Sequence, residues 1–353
     1  MLKSSLTLSL FVLLSVSLMS CNPSQTVGFE KVDYVEDFPE IKQLEPDTVL
    51  NYGFFIHFFS VYDTLLVLET NATEGGWKVA SLNDYQIYRE QYNTGNGFGE
   101  FKIIPSCWQA NLFTENDSIF AVTFDFRDGK RYKTNLSATD DGSHSNMKRI
   151  CPDVPVHLDN YVYISDSVYV IRETVWGNGK PKKISLFNGE QRINIKSFDV
   201  INDIVVPIED PSNILSASLD YSRKHDKLIM SVLNSNTINI MSLFKPEEYK
   251  SICLGPKMTT IDDAIELYSN PEIDETANCQ YSNLDMAICC DEYFAIVTHR
   301  DIGYDEVLTF SYDGQPLCNY RFPGRNWEYQ IDEKRRNIYA LDFENSLIKR
   351  YPM

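Results

Sequence analysis

Imidazole and carboxylate side chains bind divalent cations and serve as general acids and bases, so His57, His157, Asp159, Asp285 and Glu328 are the first residues to weigh. Gln109, Asn111, Asn283 and Gln330 add amide oxygens. All sit in or beside strand-like runs, so several could point at a shared axis. Convergence on one ion would make the site a metal-dependent hydrolase or lyase. The motifs that normally accompany such chemistry are missing. There is no G-x-S-x-G, H-E-x-x-H, Walker or EF-hand pattern, and the five histidines are scattered without an H-x-H pair. The glycine run GNGFGE lacks the Lys-Ser/Thr ending of a phosphate loop and reads as a turn between strands. A second group consists of Trp77, Trp176, His299, Arg300 and Tyr304, which lie between strand-like runs. Rigid amphipathic rings there suit the face of a glycan, peptide or protein. The expectation is therefore a non-catalytic binding or assembly module, with no catalytic residue, metal or cofactor assigned. The hydrolase or lyase is the alternative.

The elements that must position these residues recur along the chain. DTLLVLE, DSIFAVT, DSVYVIR, DKLIMSV and DEYFAIVT start at Asp63, Asp117, Asp166, Asp226 and Asp291, and RRNIYALD places Arg336 where the others have Asp. Successive copies lie 45 to 65 residues apart. A strand-like run precedes each copy, and a loop and third run follow. Asn188-Gly189 and Asp313-Gly314 then mark hairpin turns. Strand, turn, strand, loop, strand, hairpin describes a four-stranded antiparallel blade. Six such units predict an all-β, six-bladed propeller. The sixth copy ends after its third strand. A strand from the segment Val27 to Leu50 should complete it and close the ring. Within the long connection Lys245 to Gln280, TTIDDAIELY predicts a short surface helix capped by Thr260, with a lid over the propeller as the functional alternative.

The N-terminus carries an address. Lys3, the apolar run Leu6 to Leu18 and the ending Leu18-Met19-Ser20-Cys21 predict a signal peptide over 1–20. The run is too short to span a bilayer stably. Residues 21–26 form a tether and 27–353 the single propeller domain. The chain holds 50 acidic against 32 basic residues, a net charge of −18, which argues against nucleic acid as a partner. Cys107, Cys151, Cys253, Cys279, Cys289, Cys290 and Cys318 contain no C-x-x-C pair, and Cys253 with Cys279 is the first disulfide to test.

The ending Leu18 to Cys21 resembles a bacterial lipobox. Together with YNTGNGFGEF from Tyr92, CQYSNLDMAICCDEYFAIV from Cys279 and FSYDGQPLCNYRF from Phe310, it makes the chain similar to the TolB-like six-bladed propeller lipoproteins of Gram-negative bacteria. Phe98 stands where that family prefers proline. The resemblance implies cleavage before Cys21, acylation of that cysteine and anchoring to a lipid bilayer. It places the protein at the cell envelope, on the outer membrane ahead of the inner. It implies architecture and address, but no reaction.

Overall fold

The computed structural model describes residues 25–125, 127–138, 146–154, 158–173, 183–191, 193–198, 214, 216–270, 281, 283–300 and 303–353. They form an all-β, six-bladed propeller. Blade one comprises Phe58–Tyr62, Leu65–Glu69, Trp77–Ser81 and Ile87–Gln91. Blade two comprises Asn111–Glu115, Ser118–Phe124, Arg131–Asn135 and Met147–Ile150. Blade three comprises Leu158–Tyr163, Val168–Glu173, Lys183–Asn188 and Ile193–Ser197. Blade four comprises Ala217–Ser222, Lys227–Val232, Thr237–Met241 and Lys250–Leu254. Blade five comprises Leu284–Cys289, Tyr293–Arg300, Tyr304–Ser311 and Pro316–Pro323. Blade six contains Glu328–Asp332, Asn337–Asp342 and Leu347–Pro352.

The fourth strand of blade six is Thr48–Asn51, antiparallel to Leu347–Pro352, so the N-terminal segment closes the ring as its sequence predicts. It does more than that. Val32–Val35 pairs in parallel with the outer strand of blade four, and Ile41–Gln43 pairs in parallel with that of blade five. Two blades therefore have five strands where the repeat predicts four. The physical reason is edge protection: an outer strand exposes a row of unpaired backbone groups, and the passing segment covers two such rows before it closes the third blade.

Apolar clusters fill the interfaces between successive blades. Leu65, Val67 and Trp77 pack on Ile119 and Tyr132 between blades one and two, and Phe59 and Leu66 pack on Tyr339 and Leu341 between blades one and six. Val35 joins the cluster between blades four and five, and Leu44 the one between five and six. Second strands are covered on both faces, which is why Leu65–Glu69 is buried throughout and shows no alternation. The predicted helix, here α1, runs from Ile261 to Ser269. The Thr260 side chain caps it, with Asp263 returning the bond to the Thr260 backbone. It packs Ile261 and Ala264 with Val27 on blades three and four, and no residue of α1 lines the axial cavities described below. Among the described residues, no helix is long and apolar enough to cross a membrane.

The recurring turn residue has a backbone explanation. Asp63, Asp117 and Asp226 have φ of 51°, 59° and 51°, in the left-handed region that Asp tolerates better than most residues. Arg336 occupies the same position at φ 54° without that tolerance. Arg336→Asn should therefore stabilise the protein by about 0.5–1 kcal/mol, read as a raised urea midpoint at unchanged slope. An unchanged or lowered midpoint would count against the turn assignment.

Candidate functional site

The first strand of each blade lines the axis, and its inner edge has no partner strand. Side chains from the preceding blade supply the missing hydrogen bonds. Asn111 Oδ1 in blade two accepts from the backbone N–H of Tyr163 in blade three at 2.7 Å, and its Nδ2 donates to the Tyr161 carbonyl at 3.1 Å. Ser218 Oγ and Asp220 Oδ2 in blade four accept from the N–H groups of Ala287 and Cys289 in blade five, at 3.1 and 2.7 Å. Glu328 Oε2 in blade six accepts from Phe59 N–H in blade one at 2.9 Å. Polar residues on the first strands of blades two, four and six thus serve the backbone of the next blade.

The axial channel opens into two cavities that meet at a neck formed by Trp108, Gln109, Asn160, Ser218 and Met286. The lower cavity, of about 470 Å³, lies at the turns between first and second strands. Several of its polar groups are held by partners in the protein. Tyr163 and Tyr221 donate to Asp166 and Asp226, Arg223 donates to the carbonyls of Tyr163 and Ile164, and Lys334 bonds Asp63. The upper cavity, of about 570 Å³, lies where the first strands begin. Phe58, Trp108 and Trp327 supply its aromatic surface, and Asn283, Asp285, His299 and Glu328 are among its polar lining. Trp327 is 53% exposed, and its ring leans on Phe343, the centroids being 5.1 Å apart.

Charges at the upper mouth are held in an internal network. His299 Nδ1 lies 2.9 Å from Asp305 Oδ1, and Nε2 lies 3.4 Å from Asp285 Oδ2. Asp305 Oδ2 accepts from the Asn326 backbone N–H and the Tyr329 hydroxyl, both at 2.7 Å. This fixes the connector that carries Trp327. Burial opposes protonation of His299, but its bonds to Asp285 and Asp305 and their charges carry the pKa up to about 9. Burial pushes Glu69 up to about 7, although Cys107 N–H and Ser106 Oγ donate to it. Burial also raises Glu328 well above the carboxylate range, and the charges of Glu69 and Asp285 add to that effect.

The residues singled out in the sequence divide accordingly. Asp285, Glu328 and His299 line the upper cavity. His57 stands against Phe58, ring centroids 4.8 Å apart, with Nδ1 3.7 Å from Glu69 Oε1. Gln109 lies at the neck, Asn283 above it and Gln330 below it. Among the described residues, no group of three or more His, Cys, Asp or Glu side chains is placed to hold a metal ion. Trp77 does not face outward: it is wholly buried, donating Nε1–H to the Pro105 carbonyl at 2.8 Å. Tyr304 is half-buried under the Arg321 guanidinium and lines neither cavity. Cys21, His157, Trp176 and Cys279 lie outside the described residues, as do the side chains of Asp159 and Arg300. Sequence reasoning placed the binding aromatics on the loops between second and third strands. Of these, Trp77 and Tyr304 stay out of the mouth and His299 lines it, while Trp108 and Trp327 reach it from the connectors leading into first strands. Their shared position just before Asn111 and Glu328 was the available signal.

No family model matches the chain, and neither does any curated protein sequence. Solved structures share the fold. A protein of Bacteroides fragilis described as exported is 10% identical, with a TM-score of 0.55 over 91% of this chain and 98% of its own. A member of the DUF4221 family from Bacteroides vulgatus is 12% identical, with a TM-score of 0.50 over 88% of this chain and 97% of its own. At such identities the likeness establishes the propeller alone.

The His299 network predicts a pH signature. With its pKa raised from 6.5 to about 9, the pair stabilises the fold fully below pH 6.5 and loses that contribution as pH rises through 9. The loss is at most about 3 kcal/mol, and less in practice because Asp285 is half exposed. Chemical denaturation between pH 6 and 10 should show this decline in the parent and not in His299→Gln. Parallel curves for the two proteins would contradict it.

Proposed function

We propose that this protein is a non-catalytic binding propeller, held at the cell envelope by lipidated Cys21, with its ligand site in the upper axial cavity. The observation that carries the reading is the use made of the axial polar groups. Asn111, Ser218, Asp220 and Glu328 hydrogen-bond the inner edge of the adjoining blade, so they are committed to the ring and do not converge on a reacting atom. A metal-dependent hydrolase or lyase needs several ligand oxygens around one ion, and the described residues offer no such group. A binding site needs an accessible cavity with apolar walls and a few oriented polar groups, which the upper mouth provides. The exported Bacteroides fragilis protein that shares the fold supports an address outside the cytoplasm. The lipobox at Leu18 to Cys21 supports the anchor, since several acyl chains together hold a protein stably on a bilayer.

Metabolic labelling with palmitate tests the anchor, and fractionation tests its consequence. Labelled lipid should enter the parent protein and be absent from Cys21→Ala, which should leave the membrane fraction. Equal labelling of both would refute the anchor.

A further inference from the structure

We infer that the upper cavity recognises the end of a neutral glycan chain, stacked on Trp327 and hydrogen-bonded at the neck by Asn160; this rests on the binding reading above. Asn160 is the most informative residue. It is only 7% exposed, lines both cavities at the neck, and its side-chain amide has no hydrogen-bond partner among the described residues. An amide offers two donors and an acceptor oxygen with two lone pairs. The Asn160 amide faces the cavity, so a ligand that displaces the water there must replace both kinds of hydrogen bond, and its natural complement is a group that both donates and accepts. A sugar hydroxyl does both. The Asn283 amide, half-buried on the wall above, is also without a partner among the described residues.

The aromatic surface fits the same ligand. A sugar ring presents an apolar C–H face and a rim of hydroxyls, which matches a flat exposed indole beside oriented amides. Trp327 is held for that task from two sides. Phe343 supports its ring, and its backbone N–H donates to the Leu341 carbonyl at 2.8 Å. Trp108 and Phe58, with ring centroids 6.0 Å apart, continue the surface down to the neck.

Charge argues for a neutral ligand. The His299 cation is already paired with both Asp285 and Asp305, and Glu328 is driven toward its protonated form by burial. Arg172 donates to the Ala217 carbonyl, and neither it nor Arg325 is without a partner. The amides of Asn160 and Asn283 thus offer hydrogen-bonding capacity to a neutral ligand. A peptide adding as a strand along the axis would need free inner edges, and side chains from the adjoining blades already occupy those of blades one, three and five. The narrowing at Trp108, Gln109 and Asn160 favours a chain end over an internal segment.

The full-length protein in detergent micelles is screened against immobilised short neutral oligosaccharides of hexose and N-acetylhexosamine, with acidic glycans and a peptide array in parallel. At least one neutral oligosaccharide should bind and alter tryptophan fluorescence. Trp327→Ala should weaken binding roughly tenfold or more at an unchanged melting temperature, Trp327→Phe should restore most of it, and Asn160→Ala should weaken it similarly. Silence across the neutral set, or neutral-glycan binding indifferent to Trp327→Ala, would overturn the inference. Binding confined to peptides or acidic glycans and lost in Trp327→Ala would overturn the neutral-glycan assignment while leaving a binding site at this mouth. Binding of any class that ignores both substitutions would overturn the site itself.

Discussion

A propeller leaves one set of backbone groups that no strand can satisfy: the inner edges of the first strands, turned toward the axis. Each N–H left unpaired and buried there costs about 1–3 kcal/mol. In this protein Asn111, Ser218, Asp220 and Glu328 reach across to the adjoining blade and accept those bonds. The consequences extend to function. Of the side chains that look like a convergent acid–base set, Glu328 serves as a backbone partner and Asp285 pairs with His299. Two of them are strongly desolvated: burial raises the pKa of Asp220 and lifts that of Glu328 well above its ordinary value. A raised pKa on an axial carboxyl is therefore a product of ring construction here and does not by itself indicate a catalytic acid.

The outer edges meet the same constraint by another route. A single N-terminal segment lays Val32–Val35 on blade four, Ile41–Gln43 on blade five and Thr48–Asn51 on blade six. Its side chains also enter the core, with Val35 and Leu44 in consecutive blade interfaces. The bidentate pair of Arg350 with Asp47, at 2.8 and 2.9 Å, fastens the segment where it closes the ring. The segment thus ties the last three blades together, and the sequentially distant ends of the domain become neighbours in blade six.

Much of this architecture is legible in the sequence because one physical demand recurs. Asp63, Asp117 and Asp226 before their second strands mark left-handed turn residues, and the unbroken apolar run after Asp63 marks a strand covered on both faces. The two parallel outer strands were not legible: VDYV and IKQ are short and mixed in polarity, and pairing on an outer edge imposes no burial pattern on the sequence. The candidate site was half legible. Asp285, Glu328 and His299 were picked out and do line the mouth. Their roles as network and backbone partners depend on which blade each one faces, which composition and spacing do not encode. Trp77 misled because its loop position suggests exposure. Its indole instead turns inward onto Tyr92, centroids 4.7 Å apart and nearly perpendicular. Trp108 and Trp327 were overlooked because connectors into first strands vary in length, so no fixed spacing draws attention to them.

Side chains from adjoining blades satisfy the axial backbone of blades one, three and five. Native-state amide hydrogen exchange tests it most directly, resolved at Phe59, Tyr163, Ala287 and Cys289. These N–H groups border a channel with two open mouths, yet the account predicts slow exchange for all four, with protection at Cys289 falling selectively in Asp220→Ala. Rapid exchange at these positions in the parent protein, or protection at Cys289 that survives loss of the Asp220 carboxyl, would contradict it.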